Sequence, residues 1–379
     1  MNKRVFIGFL VVVFTLLAGW IFYISSQTRQ PIPMQKISVD WWGSGHADVK
    51  SESFTHWNEE DPPQVPPTCG KCHSGNGFID YIGQDGSAAM SVDRPAAVES
   101  VVTCTVCHSE KADTLTSVKF PSGSEVNFNQ GEASCGACHS GLDAGSKVDA
   151  SASGYGDDDL VPDASFITPH YSFSAATWLG GETHGGYEYA GKTYIGRFEH
   201  AEGVQTCTQC HDPHSLQMRE NPVDKNAELC AVCHSNVTGF ADYRNIYVDG
   251  IDYDADGSVE GMYHEIEGLR NILMQSMQQY TKDKLGVGIG WADSFPYLFI
   301  DTNQDGTLSQ EEAVFPNAYK AFTPRLMRAT FNYQFSIKEL AGYVHNGKYV
   351  VQLLYDSITD LSTAIGKPVA GLTRPASDD

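Results

Sequence analysis

All ten cysteines of this 379-residue chain fall into five copies of one pattern, Cys-x-x-Cys-His. The copies are Cys69-Gly-Lys-Cys72-His73, Cys104-Thr-Val-Cys107-His108, Cys135-Gly-Ala-Cys138-His139, Cys207-Thr-Gln-Cys210-His211 and Cys230-Ala-Val-Cys233-His234. Two thiols at this spacing can form thioethers to the two vinyl groups of one haem, and the adjoining histidine then supplies the proximal iron ligand. Zinc ribbons also use Cys-x-x-Cys pairs but give no reason for a histidine after every second cysteine. Disulfides would not favour five identical short pairs. The motifs therefore predict five covalently bound c-type haems, with His73, His108, His139, His211 and His234 as proximal ligands.

Each bound iron needs a sixth ligand or an open site. Of the thirteen histidines, the five proximal ones leave eight: His46, His56, His170, His184, His200, His214, His264 and His345. Eight candidates for five irons make bis-histidine ligation throughout possible. No methionine repeats in a pattern paired with the motifs. His214 follows its motif in Cys210-His211-Asp-Pro-His214, too close to His211 to serve the same iron, so it would serve a neighbour.

Several of these histidines lie in stretches with recognisable wording. Gly45-His46-Ala-Asp with His56-Trp57, then Pro169-His170-Tyr, Tyr187-Glu-Tyr-x-Gly-Lys-x-Tyr with Phe198-x-His200, and Cys-His-Asp-Pro-His214 resemble the extracytoplasmic multihaem c-type cytochromes of metal-respiring anaerobes. That group includes cytochromes that polymerise into conducting filaments. The resemblance covers roughly residues 40 to 234 and implies bis-histidine haems and long-range electron transfer. Carried over residue by residue, it picks out His46, His56, His170, His200 and His214 as distal ligands. His184, in Thr-His-Gly-Gly, matches none of these patterns. The segment Val344-His345-Asn346 resembles a histidine-asparagine stretch found after the haem motifs of larger multihaem proteins. On that reading His345 replaces one of the five; on the other, Asn346 simply caps the following helix.

A second constellation lies where there is no cysteine. Asp301-Thr-Asn303-Gln-Asp305-Gly306-Thr307-Leu-Ser-Gln-Glu-Glu312 matches a twelve-residue calcium loop, with oxygen ligands at Asp301, Asn303, Asp305, Thr307 and Glu312. Asp252-Tyr-Asp254-Ala-Asp256-Gly257-Ser258 matches the start of another, but Tyr263 occupies the place of the bidentate glutamate. One or two Ca2+ ions are expected, structural rather than sensory. Ser309-x-x-Glu312 also reads as a capping box. Pro316 truncates the exiting helix, leaving a calcium loop without a full EF-hand.

The elements that must position these groups divide the chain into three. Residues 1–36 hold Lys3-Arg4, then the uncharged run Val5 to Ile24, long enough to cross a bilayer, and a polar linker with Pro31 and Pro33. Against a cleaved signal stand the length of the run and the lack of a small-x-small site. An uncleaved amino-terminal anchor is expected, with the bulk exported to the periplasm or cell surface.

Residues 37–239 form the pentahaem domain, mostly irregular and haem-packed with short helices. The stretch from Gly141 to Pro162 reads as a loop and Tyr187 to Ile195 as a hairpin turning at Gly191-Lys192. Residues 240–379 form an α-helical domain carrying the calcium loops. Apolar stripes place one helix from Glu265 to Leu285, through Ile266, Leu269, Leu273, Met277 and Tyr280. Another runs from Tyr349 to Ile365, through Val350, Leu354, Ile358, Leu361 and Ile365. A further helix starts at Thr323-Pro324.

The formal charge of −22 argues against nucleic acid or an anionic membrane surface as partner. The expected function is electron transfer to redox proteins or a terminal acceptor, carried rather than catalysed. The alternatives are a reductase for a nitrogen or sulfur oxyanion with one five-coordinate haem, and a subunit of a self-assembling filament. The histidine surplus argues against the first; the anchor and the long carboxy-terminal region depart from the second.

Overall fold

The computed structural model describes residues 33–129, 131–164, 166–201, 205–219 and 229–377. The amino-terminal run Val5 to Ile24 lies outside them. Among the described residues no helix is long and apolar enough to cross a membrane.

The first two-thirds of the chain builds little regular structure. Its helices are short, among them α1 (Met34–Trp42), α2 (Pro67–His73), α3 (Gly75–Tyr81), α4 (Cys104–Cys107), α5 (Ala133–Cys138), α6 (Gly145–Ala152), α7 (Ser174–Leu179) and α8 (Cys207–Cys210). Two antiparallel ribbons accompany them, Gln64–Val65 with Ala96–Ala97 and Ser117–Lys119 with Glu125–Asn127. Helix α6 lies inside the stretch expected to be a loop. Its signal was faint: Val148 and Ala152, four residues apart, are buried along with Gly145 in a segment otherwise made of small and polar residues.

The expected hairpin is a turn without a ladder. Gly191 takes a φ of 77° and the Lys192 N–H donates to the Tyr189 carbonyl at 3.1 Å. Beyond the turn the arms meet through the Tyr189 N–H, which donates to the Tyr194 hydroxyl at 2.9 Å, while other backbone groups of the arms bond to helices. Tyr187 exchanges bonds with the Asn332 side chain at 2.8 and 2.9 Å, and the Ile195 N–H donates to Gln352 Oε1 at 2.9 Å. Two buried amides from the helical layer thus satisfy backbone groups that a strand partner would otherwise take.

Three long helices close the chain: α9 (Met262–Tyr280), α10 (Pro324–Lys338) and α11 (Gly342–Ala364). Leu269, Leu273, Met277 and Tyr280 of α9 are fully buried. They meet α11, which buries Val350, Leu354, Ile358 and Leu361. Helix α9 ends in a single wider turn, Thr281–Leu285, released by Gly286 in the left-handed region at φ 69°. Thr323 caps α10, its hydroxyl accepting from the Leu326 N–H at 3.2 Å. Helix α11 starts before the predicted Tyr349 but is interrupted at Asn346 (φ −168°, ψ 73°), whose side chain accepts from the Tyr349 N–H at 3.2 Å. Asn346 is therefore a cap inside a broken helix.

Packing crosses the composition boundary near residue 240. One buried cluster runs from Phe78 and Val148 through Ala176 and Leu179 to Phe335 and Leu353. The crossing is also ionic. Asp356 on α11, whose side chain is 1% exposed, receives the Arg374 guanidinium at 2.9–3.0 Å and the Tyr194 hydroxyl at 2.7 Å. Breaking a buried ion pair by removing one partner costs about 3 kcal/mol or more. Asp356→Ala should lower unfolding stability by about 3 kcal/mol in a denaturant titration, since it strands Arg374 and frees the turn at Tyr194. A change within experimental error would mean that the tail and turn are held elsewhere.

Candidate haem and calcium centres

Each of the first four cysteine motifs occupies one turn of α-helix (α2, α4, α5 and α8), and the fifth a 3-10 turn, Leu229–Val232. Cysteines three apart on such a turn share a face. From the second motif to the fifth, the histidine N–H donates to the first cysteine's carbonyl at 2.8–3.0 Å, which fixes where the imidazole leaves the turn. All ten thiols are free of disulfides. Among the described residues no group of three cysteine or histidine side chains converges as a zinc site requires.

The motif histidines face one further histidine each. Ring centroids lie 5.8 Å apart for His73 with His170, 6.2 Å for His108 with His214 and 6.4 Å for His139 with His46. They lie 6.5 Å apart for His211 with His345 and 6.2 Å for His234 with His200. With a metal–imidazole bond of about 2.0–2.1 Å, two rings on opposite sides of one metal have centres roughly 6 Å apart. All five pairs fit that separation.

The imidazoles are also oriented for it. Nδ1 of His73 bonds the Ser53 carbonyl at 2.7 Å, His139 the Ser172 carbonyl at 2.6 Å and His211 the Leu216 carbonyl at 3.3 Å. His345 Nδ1 bonds Glu339 Oε1 at 2.9 Å. An acceptor on Nδ1 fixes the tautomer and leaves Nε2 as the lone-pair donor. Burial, then the facing His139, pull His46 down to about 4. Burial first, then His73 and Lys338, lower His170; burial and His234 lower His200. Neutral imidazole is the form that binds a metal.

The pairing departs from the carried-over ligand set at one position. His56 is exposed, stacks edge-on against Trp57 at 4.7 Å and bonds Glu52 at 2.9 Å. Trp57 in turn lies against His73 at 5.3 Å, so His56 stands one ring away from a motif histidine instead of opposite it. The ring opposite His211 is that of His345. His184 bonds Glu188 at 2.7 Å and is largely exposed, and His264 lies beside Asn245 and Glu267.

The motifs adjoin one another. Cys72 Sγ reaches the Cys138 carbonyl at 3.7 Å and Cys138 Sγ the Lys71 carbonyl at 3.3 Å, while Lys71 donates to Ser140 at 3.1 Å. The first motif therefore abuts the third. Cys135 and Cys207 lie near enough to shift each other's titration, which places the third motif beside the fourth. Cys107 lies within electrostatic reach of Cys135, and Cys210 of Cys230. The five form one continuous set.

The two acidic loops share a backbone pattern. In the second, Asp301 Oδ2 accepts from the Gly306 N–H at 2.8 Å, Asn303 Oδ1 from Asp305 at 2.9 Å and Asp305 Oδ1 from Thr307 at 2.8 Å. In the first, Asp252 accepts from Gly257 at 3.0 Å, Asp254 from Asp256 at 3.1 Å and Asp256 from Ser258 at 2.7 Å. Gly257 and Gly306 both take a positive φ, 95° and 85°, as the sixth position of such a loop requires.

Glu312 closes the second loop by accepting from the Thr302 and Ser309 N–H groups at 2.8 and 2.9 Å. Glu265 does the same in the first. It accepts from Tyr253 at 2.7 Å and Glu260 at 3.0 Å, although it lies two residues beyond the twelfth position. Sequence reasoning stopped at Tyr263; the available signal was an acidic residue on the first turn of α9, displaced by a two-residue insertion. Asp252, Asp254 and Asp256 each bring an oxygen within 4.8 Å of the others, and burial with the neighbouring carboxylates pushes Asp254 up to about 6. In the second loop, where Asn303 replaces a carboxylate, the acidic groups are less gathered. Asp301 there is 2% exposed and its Oδ1 has no partner among the described residues.

Residues 200–239, the fourth and fifth motifs, match the model of a doubled CXXCH motif. Over about four-fifths of its length the chain is similar to two c-type polyheme cytochromes of Geobacter sulfurreducens. It is 24% identical to OmcC across 83% of this chain and 45% of that protein, and 26% identical to OmcB across 76% of this chain and 37% of that protein. The chain thus spans less than half the length of the curated relatives it matches. No solved structure matches it.

Proposed function

We propose that this chain, a multihaem c-type cytochrome by its doubled motif and its relatives, carries electrons through five bis-histidine haems. The observation that carries the reading is the matching of every motif histidine to one partner: His73 with His170, His108 with His214, His139 with His46, His211 with His345 and His234 with His200. When bound, haem iron supplies one-electron redox chemistry between ferrous and ferric states. The chain supplies the rest. Its cysteines would tether the group, its histidine pairs would ligate the iron, and carbonyls behind His73, His139 and His211 hold the rings in place. Because each pair joins distant segments, ligation also staples a stretch that has few long helices of its own.

An enzyme of the oxyanion-reductase kind would need an iron with one axial side free for substrate, and the five pairs weigh against it. The adjoining motifs favour a conductor. Redox proteins or a terminal acceptor are the proposed partners. In this reading Val5 to Ile24 anchors the chain, its bulk lies outside the cytoplasm, and the residues from about 240 onward form a helical, calcium-holding domain.

Calcium would be held in the second loop by Asp301, Asn303, Asp305, Thr307 and Glu312. The first would use Asp252, Asp254 and Asp256 with Glu265. The haem assignment is tested by mass. The denatured protein should carry five haem additions, and Cys104→Ala with Cys107→Ala should remove one. Four or fewer in the parent protein would mean an unused motif.

A further inference from the structure

Helix α10 ends on two buried residues of opposite charge, Lys338 and Glu339, 3% and 5% exposed. They point at different histidine pairs. Lys338 Nζ donates to Thr168 Oγ1 at 3.0 Å, and the same oxygen accepts from the His170 backbone N–H at 3.1 Å. Its other partners are Gln334 Oε1 at 3.1 Å and the rings of Tyr297 at 3.8 Å and Tyr171 at 4.9 Å. All are acceptors or ring faces and favour the ammonium form, against the burial that pulls Lys338 down to about 8. Glu339 Oε1 bonds His345 Nδ1 at 2.9 Å, and its Oε2 is buried with no partner among the described residues. Among the described residues, His345 is the hydrogen-bond partner of this carboxylate.

We infer that Lys338 and Glu339 are positioning residues that set two haem potentials apart, Lys338 raising that of the His73–His170 site and Glu339 lowering that of the His211–His345 site. The inference rests on the ligation proposed above. Reduction adds an electron to the iron, so a fixed buried cation favours the reduced form. A carboxylate on the far nitrogen of an axial imidazole makes the ring a stronger donor and favours the oxidised form. Two consecutive residues thus bias electron flow from one site toward the other. A buried unit charge within about 10 Å, at an effective dielectric near 20, changes such an equilibrium by roughly tenfold.

Spectroelectrochemical titration of the full holoprotein tests this. Lys338→Met should move one haem component down by roughly tenfold in its one-electron equilibrium, about 59 mV, and Lys338→Arg should restore it. Glu339→Gln should move a different component up by a similar amount. This isosteric variant keeps the inference testable if Lys338→Met fails to accumulate. Unmoved potentials, or shifts of the same sign in both variants, overturn it. Low-temperature electron paramagnetic resonance of the parent protein separates the two levels. High-spin iron there overturns the ligation reading and this inference with it; all-low-spin iron with unmoved potentials overturns this inference alone.

Discussion

His345→Ala should convert one haem of five to high-spin, whereas His56→Ala should leave every iron low-spin. The two histidines differ in what they face. His345 meets His211 at a ring separation of 6.5 Å with Nδ1 bonded to Glu339, so its Nε2 is the free donor. His56 likewise bonds a carboxylate, Glu52, through Nδ1, but it is exposed, packs edge-on against Trp57 and among the described residues faces no motif histidine. Removing an axial imidazole leaves iron with five ligands and a weaker field, which low-temperature electron paramagnetic resonance reads directly. The variant should also lose stability, because Glu339 is left as a buried charge without its partner, a defect worth about 3–5 kcal/mol. Adding Glu339→Gln to His345→Ala should recover much of that loss without restoring the low-spin signal, which separates ligation from packing. A high-spin haem in His56→Ala, with none in His345→Ala, would return the ligand set to the one the resemblance implied.

What could be read from sequence was set by how local each interaction is. The cysteine motifs are five-residue units, each on one helical turn, and their spacing carries their chemistry. The stripes Leu269, Leu273, Met277 and Val350, Leu354, Ile358 follow helical periodicity and are buried as that periodicity implies. Pairing of histidines is not local. His46 meets a ring 93 positions along the chain at His139, and nothing in the composition of either neighbourhood marks the partner. His56 and His345 were both reasonable candidates, one beside tryptophan and one beside a capping asparagine, and three-dimensional placement alone separates them. The missing hairpin has the same origin: Asn332 and Gln352, far away in sequence, take the backbone groups that a second strand would have used. Glu265 was hidden differently, by a fixed spacing applied to a loop with two extra residues.

Calcium should raise the melting temperature of the protein and leave its haem spectrum unchanged, and Glu265→Gln and Glu312→Gln should each remove part of the rise. The first loop brings together Asp252, Asp254 and Asp256, groups that repel one another unless a cation lies among them. Asp254 is already pushed up by burial and its neighbours, and Asp301 Oδ1 is buried without a partner. A ligand that binds only the folded state stabilises it by about 2.7 kcal/mol at a hundred times its dissociation constant. The first loop abuts α9 through Glu265 and the second is held to α9 by Gln278, which donates to the Gly306 carbonyl at 3.0 Å. Stabilisation should therefore appear as later melting of the three-helix layer. Calorimetric titration into calcium-free protein should give two equivalents for the parent and one for each single variant. Two equivalents in Glu265→Gln would show that the first loop closes without this residue. A chelator that leaves the parent's melting curve where it was would remove calcium from both loops.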